Sequence, residues 1–331
     1  MSDYRNAYAV GYIRALEGKL LRNDRIARML DAPSAAEVLN ILIEAGYGQG
    51  SEPPDEFEAL IATEQKRTLE LMQEISSQLE LTELFYLHYD LHNCKLLYKG
   101  RYSGERLEGE LFSLLGTIPL ADLRVAMEEK DYSLLPQAWQ EVLQETDSSV
   151  AERLDPGLFD VQMDVAYYKS VWKHIQDKKI RFPFVSQYFA LSADFNNLLQ
   201  ILRLKLLGKP SSLLPSIFLP GGSLTLATLA PLWEGELERD AWGHSPFAAA
   251  LAKGWLAYQQ RGSIADLEKE RDNALFRLAG EGDQGPLSIG PVLRYLHYRE
   301  QETKVVRLIM TGKTNRIPDR LLRERVRELY A

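Results

Sequence analysis

The stretch FYLHYDLHNCK, in the first third of the chain, contains the residue types that most readily bind a transition metal. His88 and His92 are four residues apart, a spacing that on a helix lets two imidazoles face one metal ion. Asp90 and Cys94 fall out of phase with this pair, and Tyr89 stands where a zinc protease needs glutamate. The stretch therefore offers two ligands to a metal-dependent enzyme but lacks the rest of such a site.

The stretch recurs along the chain, but the histidine pair does not. YLHYDLHNCK at 86–95 returns as YLHYREQETK at 295–304, with five of ten positions identical. Between them, DFNNLLQILRLKLLG repeats the spacing of Asp90 and Asn93, 104 residues later. In the second and third copies the histidine positions are taken by Ser192, Asn196, His297 and Gln301. We interpret the repeated polar positions as buried structural contacts between helices: Asp90, Asn93, Asp194, Asn197, Glu300 and Glu302.

Other catalytic patterns lack their defining residues. TGKTNR, which begins at Thr311, contains the Gly-Lys-Thr of a phosphate-binding loop but lacks its earlier glycine and preceding strand. No GxSxG nucleophile motif occurs, and Cys94 lies on a predicted helix with no base oriented toward it. The DFNN stretch has too few aspartates to hold magnesium in the manner of Asp-rich helices. The sequence therefore predicts no catalytic residue, no cofactor and no bound metal.

The composition is that of a globular protein with unevenly distributed charge. The 331 residues are 45% hydrophobic and carry a net charge of −8, which disfavours nucleic-acid binding. Nine bases and five acids lie from Tyr298 to Ala331, whereas residues 51–80 hold eight acids and two bases. The basic region is either a solvated terminal helix or a surface for an acidic protein partner. The single cysteine excludes an intramolecular disulfide and fits a reducing compartment.

One uncharged segment, Pro210–Trp233, is long enough to cross a bilayer. Four prolines and two adjacent glycines interrupt it, and a spanning helix would leave backbone groups unsatisfied in lipid. We therefore expect a buried connection between helices. The N-terminal residues lack the apolar run and cleavage site of a secretory signal.

Helical periodicity dominates the chain. Tyr4, Tyr8 and Tyr12 recur every four residues and place an aromatic stripe on one face of the first helix. We find no alternating strand pairs with hairpin turns between them, so the sequence predicts an all-α fold.

A second marker follows each copy of the repeated stretch, and each predicts a turn that leads into a helix. The markers are GTIPLADL from Gly116, GSLTLATL from Gly222 and NRIPDRLL from Asn315. The repeats predict three similar helical domains in a pseudo-three-fold arrangement. Their expected bounds are 1–115, 116–220 and 221–331, the last including the C-terminal helix.

Four segments together resemble the family of C subunits of V-type or A-type ATPases, to which the d subunit of the eukaryotic enzyme belongs. They are YAVGYIRALEGKLL, DLHNCKLLYKG, DFNNLLQILRLKLLGK and GPVLRYLHYREQETKVVRLIMTGKTNRIP. Their order, their spacing and the chain length also fit, although the first segment carries fewer arginines than the family's usual version.

The resemblance implies a funnel-shaped helical protein that performs no chemistry and carries torque in a rotary ATPase. It implies a peripheral position on the cytoplasmic face of the membrane, on top of the proteolipid ring. The implied partners are the ring and the D and F subunits of the central shaft, with membrane contact only through the ring. The complex would synthesise or hydrolyse ATP while moving protons or sodium ions.

A torque-carrying protein needs interfaces built on apolar and aromatic anchors. Phe218 and Leu219, expected to be exposed at a turn, are the candidate partner contacts. Two alternatives stay open from the residues alone. One is an all-helical metal-dependent enzyme that uses His88 and His92, and the other is a generic helical adaptor.

Overall fold

The computed structural model describes residues 2–48, 56–104, 107, 109–149, 156–234, 241–282 and 285–329. All regular elements within these ranges are helices, mostly α-helices with a few short 3-10 turns. The predicted all-α class is therefore confirmed.

The described α-helices vary from single turns to seven turns in length. In chain order they are α1 (Ser2–Glu17), α2 (Asn23–Asp31), α3 (Ala35–Glu44), α4 (Phe57–Ile75), α5 (Leu79–Glu83), α6 (Leu87–Ser103), α7 (Leu120–Glu129), α8 (Gln137–Ser149), α9 (Pro156–Asp177), α10 (Pro183–Leu206), α11 (Leu214–Ile217), α12 (Leu226–Leu229), α13 (Pro231–Glu234), α14 (Ala248–Arg261), α15 (Ile264–Glu281), α16 (Gly290–Thr314) and α17 (Asp319–Arg325).

The chain divides into two compact units. Unit 1 combines both ends of the chain, Met1–Leu79 and Leu256–Ala331, and unit 2 is the continuous segment Glu80–Trp255. The predicted division into three domains of contiguous sequence, and their three-fold arrangement, stay predictions.

The core of unit 1 forms where α2, α3 and α4 pack against α16. Ser34 begins α3 as its N-cap, and its hydroxyl accepts a hydrogen bond from the N–H of Glu37. The apolar positions of these helices recur at helical spacing, so each presents one buried face. The fully buried side chains of this core include Leu21, Met29, Val38, Leu42, Leu60, Ile61, Val305, Val306, Ile309 and Met310.

One core of unit 2 joins α6, α7, α8 and α9. Tyr98 on α6 stacks on Phe159 of α9, and Trp139 of α8 is fully buried beside them. Cys94 lies in the same core, where burial raises the pKa of its thiol well above the ordinary value. A thiol held in this state is a packing residue, because nucleophilic and metal-binding reactions use the thiolate.

The uncharged segment Pro210–Trp233 folds into short helices and turns with buried leucines, as a connection between longer helices would. The indole N–H of Trp172 donates to the carbonyl of Pro220 at 3.1 Å. At Gly221, φ is +84°, and a Cβ would lie only 1.8 Å from that indole nitrogen, so glycine is needed there. Among the described residues, no helix is long and apolar enough to cross a membrane.

Candidate functional site

The first feature of interest is a carboxylate on α6 that holds the loop before α7. Asp90 Oδ2 accepts hydrogen bonds from the backbone N–H of Thr117 at 2.9 Å and from its hydroxyl at 2.7 Å. Asp90 Oδ1 accepts a third bond, at 3.0 Å, from the N–H of Ile118. Burial raises the pKa of Asp90, while the three hydrogen bonds lower it and only partly offset the effect.

One helical turn further along α6, an amide holds the same loop at its other end. The Asn93 side chain donates to the carbonyl of Ser113 at 2.8 Å and accepts from the N–H of that residue at 2.9 Å. A single side chain thereby satisfies both backbone groups of Ser113, which a loop must otherwise leave to water. We call Asp90, Asn93 and the loop 113–118 the first polar joint.

The same arrangement recurs on α10. Asp194 accepts hydrogen bonds from the N–H and hydroxyl of Ser223 and, at 2.9 Å, from the N–H of Leu224. Asn197 donates to the carbonyl of Leu219 at 3.1 Å and accepts from its N–H at 2.7 Å. We call Asp194, Asn197 and the loop 219–224 the second polar joint. Burial raises the pKa of Asp194 as it does for Asp90.

Both joints require a glycine. A Cβ placed on Gly116 would lie 2.1 Å from Asp90 Oδ1, and one on Gly222 would lie 2.2 Å from Asp194 Oδ1. Any side chain at these positions would push the carboxylate away from the backbone N–H groups that it accepts from. The glycines that open the two sequence markers are thus part of the polar joints.

Each joint fixes the beginning of a helix. Ile118 directly precedes Pro119, the N-cap of α7, and Leu224 directly precedes Thr225, the N-cap of α12. Pro318, in the third marker, is the N-cap of α17. All three markers therefore open a helix, as the sequence predicted.

In the third copy, the polar side chains bind an N-terminal segment of the chain instead of the loop that follows their own helix. An ungapped alignment of the copies places Arg299 at the Asp90 position and Glu302 at the Asn93 position. Glu302 Oε2 accepts a 2.6 Å hydrogen bond from the N–H of Leu21, which directly precedes Arg22, the N-cap of α2. We call Arg299, Glu302 and residues 20–22 the third polar joint. The N–H of Ile317, in the marker that follows this copy, donates instead to the carbonyl of Gly312.

Charged and phenolic groups surround Glu302. Its Oε1 accepts from the hydroxyl of Tyr47 and from the guanidinium of Arg299, and Arg299 also pairs with Glu64 at 3.1 Å. Burial and the Glu302 charge raise the pKa of Tyr47, so its hydroxyl stays a hydrogen-bond donor. Nearby, Arg294 pairs with the buried carboxylate of Glu17 on α1. These contacts connect both ends of the chain within unit 1.

Glu300, a member of the predicted polar set, occupies a different position. It is half-buried on α16, and its Oε1 has no hydrogen-bond partner among the described residues. Burial raises the pKa of Glu300 to about 7, and the positive charge of Lys304 partly opposes this. The sequence-based set contains Glu300 but not Arg299, which is the residue that takes part in the joint. Arg299 lies three residues before Glu302, as Asp90 lies three residues before Asn93, and this spacing could have identified it.

The histidines of the opening stretch have other contacts. A ring nitrogen of His92 lies 3.0 Å from the carbonyl of Leu111, and the His88 ring packs against Tyr89. In the third copy, burial lowers the pKa of His297 to about 3, so that ring is neutral. Within the part of the chain that the structure describes, no three His, Cys, Asp or Glu side chains cluster as a metal site.

The two candidate partner contacts differ in exposure. Phe218 is half-buried, whereas Leu219 is fully buried against Tyr168 and Ala193. The expectation that Leu219 is exposed was wrong, because its backbone donates one hydrogen bond to the Asn197 side chain and accepts another from it, which holds Leu219 against α10. A partner contact at Phe218 stays a prediction.

Several bases of the C-terminal region pair with acids of the same unit. Arg307 contacts Glu58 at 2.9 Å. Arg327 contacts Asp272 at 3.0 Å, and Arg323 pairs with Asp31. Three positive charges next to Asp272, from Arg271, Lys304 and Arg327, outweigh its burial and lower its pKa. The local excess of bases is thus partly neutralised within the chain.

Comparison with known proteins places these features in a family. The family model described as ATP synthase (C/AC39) subunit matches residues 9–325. The C subunit of a V-type ATP synthase of Thermus thermophilus is 29% identical, over 92% of this chain and 92% of the relative. The C subunit of a V-type sodium ATPase of Enterococcus hirae is 22% identical, over 96% and 97%. The C subunit of an A-type ATP synthase of Thermococcus kodakarensis is 22% identical, over 92% and 85%. The chain belongs to the ATP synthase (C/AC39) subunit family, which includes the C subunits of V-type and A-type rotary ATPases.

Proposed function

We propose that this chain is the non-catalytic central-stalk subunit that couples the shaft of a rotary ATPase to its proteolipid ring. The observation that carries the proposal is the family match over nearly the whole chain. Relatives of nearly the same length are named as C subunits of an ATP synthase and of a sodium ATPase. The partners in this proposal are the D and F subunits of the central shaft on one side and the proteolipid ring on the other. The chain lies peripherally on the cytoplasmic face and serves proton or sodium transport.

The polar joints suit a protein that transmits torque. A loop held only by water can yield under load, whereas each joint fixes a helix start through buried hydrogen bonds to a neighbouring helix. A buried hydrogen bond to a charged group contributes about 1.5–3 kcal/mol, and removing the acceptor leaves its donors unsatisfied. The joints therefore favour a stiff body over a flexible linker.

The joints also support the proposal of three helical repeats. In the first and second repeats, α6 and α10 each hold a loop that follows them in the chain. In the third, α16 holds the N-terminal segment before α2. We propose that the third repeat consists of chain segments from both ends rather than residues 221–331 alone.

The metal-enzyme alternative lacks a supporting contact. His92 directs a ring nitrogen to a backbone carbonyl, and Cys94 is enclosed in the unit 2 core. The described residues include no group of three or more His, Cys, Asp and Glu side chains that could hold a metal ion. The other alternative, a generic helical adaptor, predicts that the chain is recovered with an unrelated complex in the co-purification described next.

The test is recovery of the chain, tagged and expressed at its native level, from detergent-solubilised membranes. We expect the D and F subunits and the proteolipid ring to be recovered with it. Recovery alone, or with an unrelated complex, would contradict the proposal.

Deletion of this protein should leave ATP hydrolysis by the soluble motor but abolish the ion transport that depends on it. Phe218→Ser should weaken recovery of the partners if this half-buried ring anchors an interface. Leu134→Ser is its control, because that side chain is also apolar and is 71% exposed.

A further inference from the structure

The first helix presents aromatic side chains to solvent. Tyr4, Tyr8 and Tyr12 are 86%, 62% and 45% exposed, and the rings of Tyr8 and Tyr12 are 6.2 Å apart. They follow one another at successive turns and form a ridge along α1. An exposed aromatic surface of this length is uncommon on a protein that functions alone.

The opposite side of α1 is buried in unit 1. Its inward residues are Asn6, Ala9, Val10, Ile13 and Glu17. The exposed side holds the three tyrosines and, beside them, Ala7, Gly11 and Ala15. Most residues on both the buried and the exposed side of α1 are therefore uncharged. A helix with this pattern is typically enclosed by protein, whereas a helix on a free surface usually has one polar, charged face.

Among the side chains that the structure describes, the charges beside the tyrosines share one sign. The charged side chains described on the exposed side of α1 and in the turn after it are Arg5, Arg14 and Lys19. Arg14 pairs with Glu17, whose carboxylate also pairs with Arg294. Tyrosine hydroxyls donate hydrogen bonds as well, so the surface offers cations and O–H donors around an apolar centre. Carboxylates on a partner would pair with these cations and accept hydrogen bonds from these tyrosine hydroxyls.

We propose that the tyrosine surface of α1 (Tyr4, Tyr8, Tyr12, Ala7, Gly11 and Ala15) docks an acidic amphipathic helix of another subunit of the same complex. The apolar side of that helix packs on the tyrosine ridge, and its flanking carboxylates accept from Arg5, Lys19 and the tyrosine hydroxyls. The inference rests on the proposed function, which supplies a complex with partner subunits.

Other occupants fit less well. A second copy that docked through the same surface would bring Arg5 and Lys19 against cations of the same kind. A lipid surface favours helices with large Trp, Phe or Leu side chains on the inserted side, whereas alanines and a glycine flank these tyrosines. The open space above Gly11, where a Cβ would meet nothing within 4 Å, suits the close approach of another helix.

The test variant is Gly11→Trp, which fills the docking surface with a bulky ring while leaving the packed side of α1 untouched. Gly109→Trp is the matched control, because a Cβ there also meets nothing within 4 Å. Wild type and both variants, as full chains, are incubated with membranes that carry the complex without this subunit. Bound protein is measured at increasing salt.

We expect Gly11→Trp to weaken binding about tenfold or more, the effect of blocking an interface centre, while Gly109→Trp binds like the wild type. Binding of Gly11→Trp at the wild-type level would overturn this inference and leave the proposed function standing. Failure of the wild type itself to bind would instead contradict the proposed function.

A photo-crosslinking residue at Tyr8 then identifies the occupant. A crosslink to a carboxylate-bearing helix of another subunit supports the inference. A crosslink to a second copy of this chain, or wild-type binding to protein-free phospholipid vesicles that Gly11→Trp abolishes, would overturn it.

Discussion

The backbone N–H of Leu21 donates a 2.6 Å hydrogen bond to Oε2 of Glu302, and this bond joins the two ends of the chain across 281 residues. The matching bonds of the other two joints span 28 and 30 residues. The three bonds share a geometric role, since each holds the residue directly before a helix N-cap. The third bond therefore joins the two chain segments that form unit 1, of which the first ends at residue 79 and the second begins at residue 256.

Replacing Glu302 with alanine should loosen the start of α2. The N–H of Leu21 and the hydroxyl of Tyr47 lose their acceptor, and Arg299 keeps only Glu64 as a carboxylate partner. We expect a loss of about 3–5 kcal/mol in the free energy of unfolding, the cost of breaking a buried ion pair. Hydrogen exchange at the Leu21 amide should accelerate strongly.

The control for this change is Glu58→Ala, which removes an exposed ion pair between α4 and α16. Glu58 and Arg307 are about half exposed, so the loss should stay below about 1 kcal/mol. Unchanged exchange at Leu21 in the Glu302 variant would contradict the role assigned to this carboxylate.

Gly116→Ala should destabilise unit 2. The new methyl group would lie 2.1 Å from Asp90 Oδ1, so either the loop or the carboxylate must move. We expect a cost of about 1–3 kcal/mol, typical of overpacking a closely fitted site. Gly109→Ala, which meets open space, should change the melting temperature little, and equal effects of the two variants would argue against the joint.

Asp90→Asn and Asp194→Asn should lower the free energy of unfolding by similar amounts. Each carboxylate faces three donors, whereas an amide directs its own N–H groups toward some of them. We expect each variant to lose about 1–3 kcal/mol in urea unfolding, the penalty for unsatisfied buried donors. Glu129→Gln, an exposed site in the same unit, is the neutral reference. A large effect for only one aspartate would show that the two joints are not equivalent.

Glu300→Gln should stabilise the protein at neutral and alkaline pH. The folded-state pKa of Glu300 is raised from 4.5 to about 7, so the folded protein holds a proton that the unfolded chain releases. The contribution of Glu300 to the free energy of unfolding is therefore fully present below about pH 4.5, and it is lost as the pH rises through about 7. Glutamine does not titrate, so its advantage should grow over this window to roughly 2–3 kcal/mol. Thermal melts of both proteins from pH 4 to 8 measure it, and a constant difference across that range would refute the assignment.

The sequence predicted much of the helical framework because the relevant signals are local. Helical spacing identified the elements, and the markers around Pro119, Thr225 and Pro318 each proved to open a helix. The spacing of Asp90 and Asn93, repeated at Asp194 and Asn197, indicates the polar side chains of two joints from the sequence alone.

Features set by tertiary contacts were not predictable in the same way. The partner of Glu302 comes from the other end of the chain, so no spacing within the repeat could indicate Leu21. Leu219 lies in an uncharged turn, and its burial depends on tertiary contacts with Tyr168 and Ala193 and on the hydrogen bond from its N–H to Asn197. Periodicity found the tyrosine stripe on α1, but a helix that is apolar on both sides does not reveal which side is solvent-exposed.

The pairing of both chain ends in unit 1 sets an order of events during protein synthesis. Unit 2 is complete once residue 255 has been made, and it can fold while translation continues. The apolar faces of α2, α3 and α4 must wait for α16, which at ordinary elongation rates takes roughly ten to fifty seconds after residue 79 is added. During that interval Leu21 has no Glu302 to bind, so we expect the nascent N-terminal segment to depend on chaperone protection.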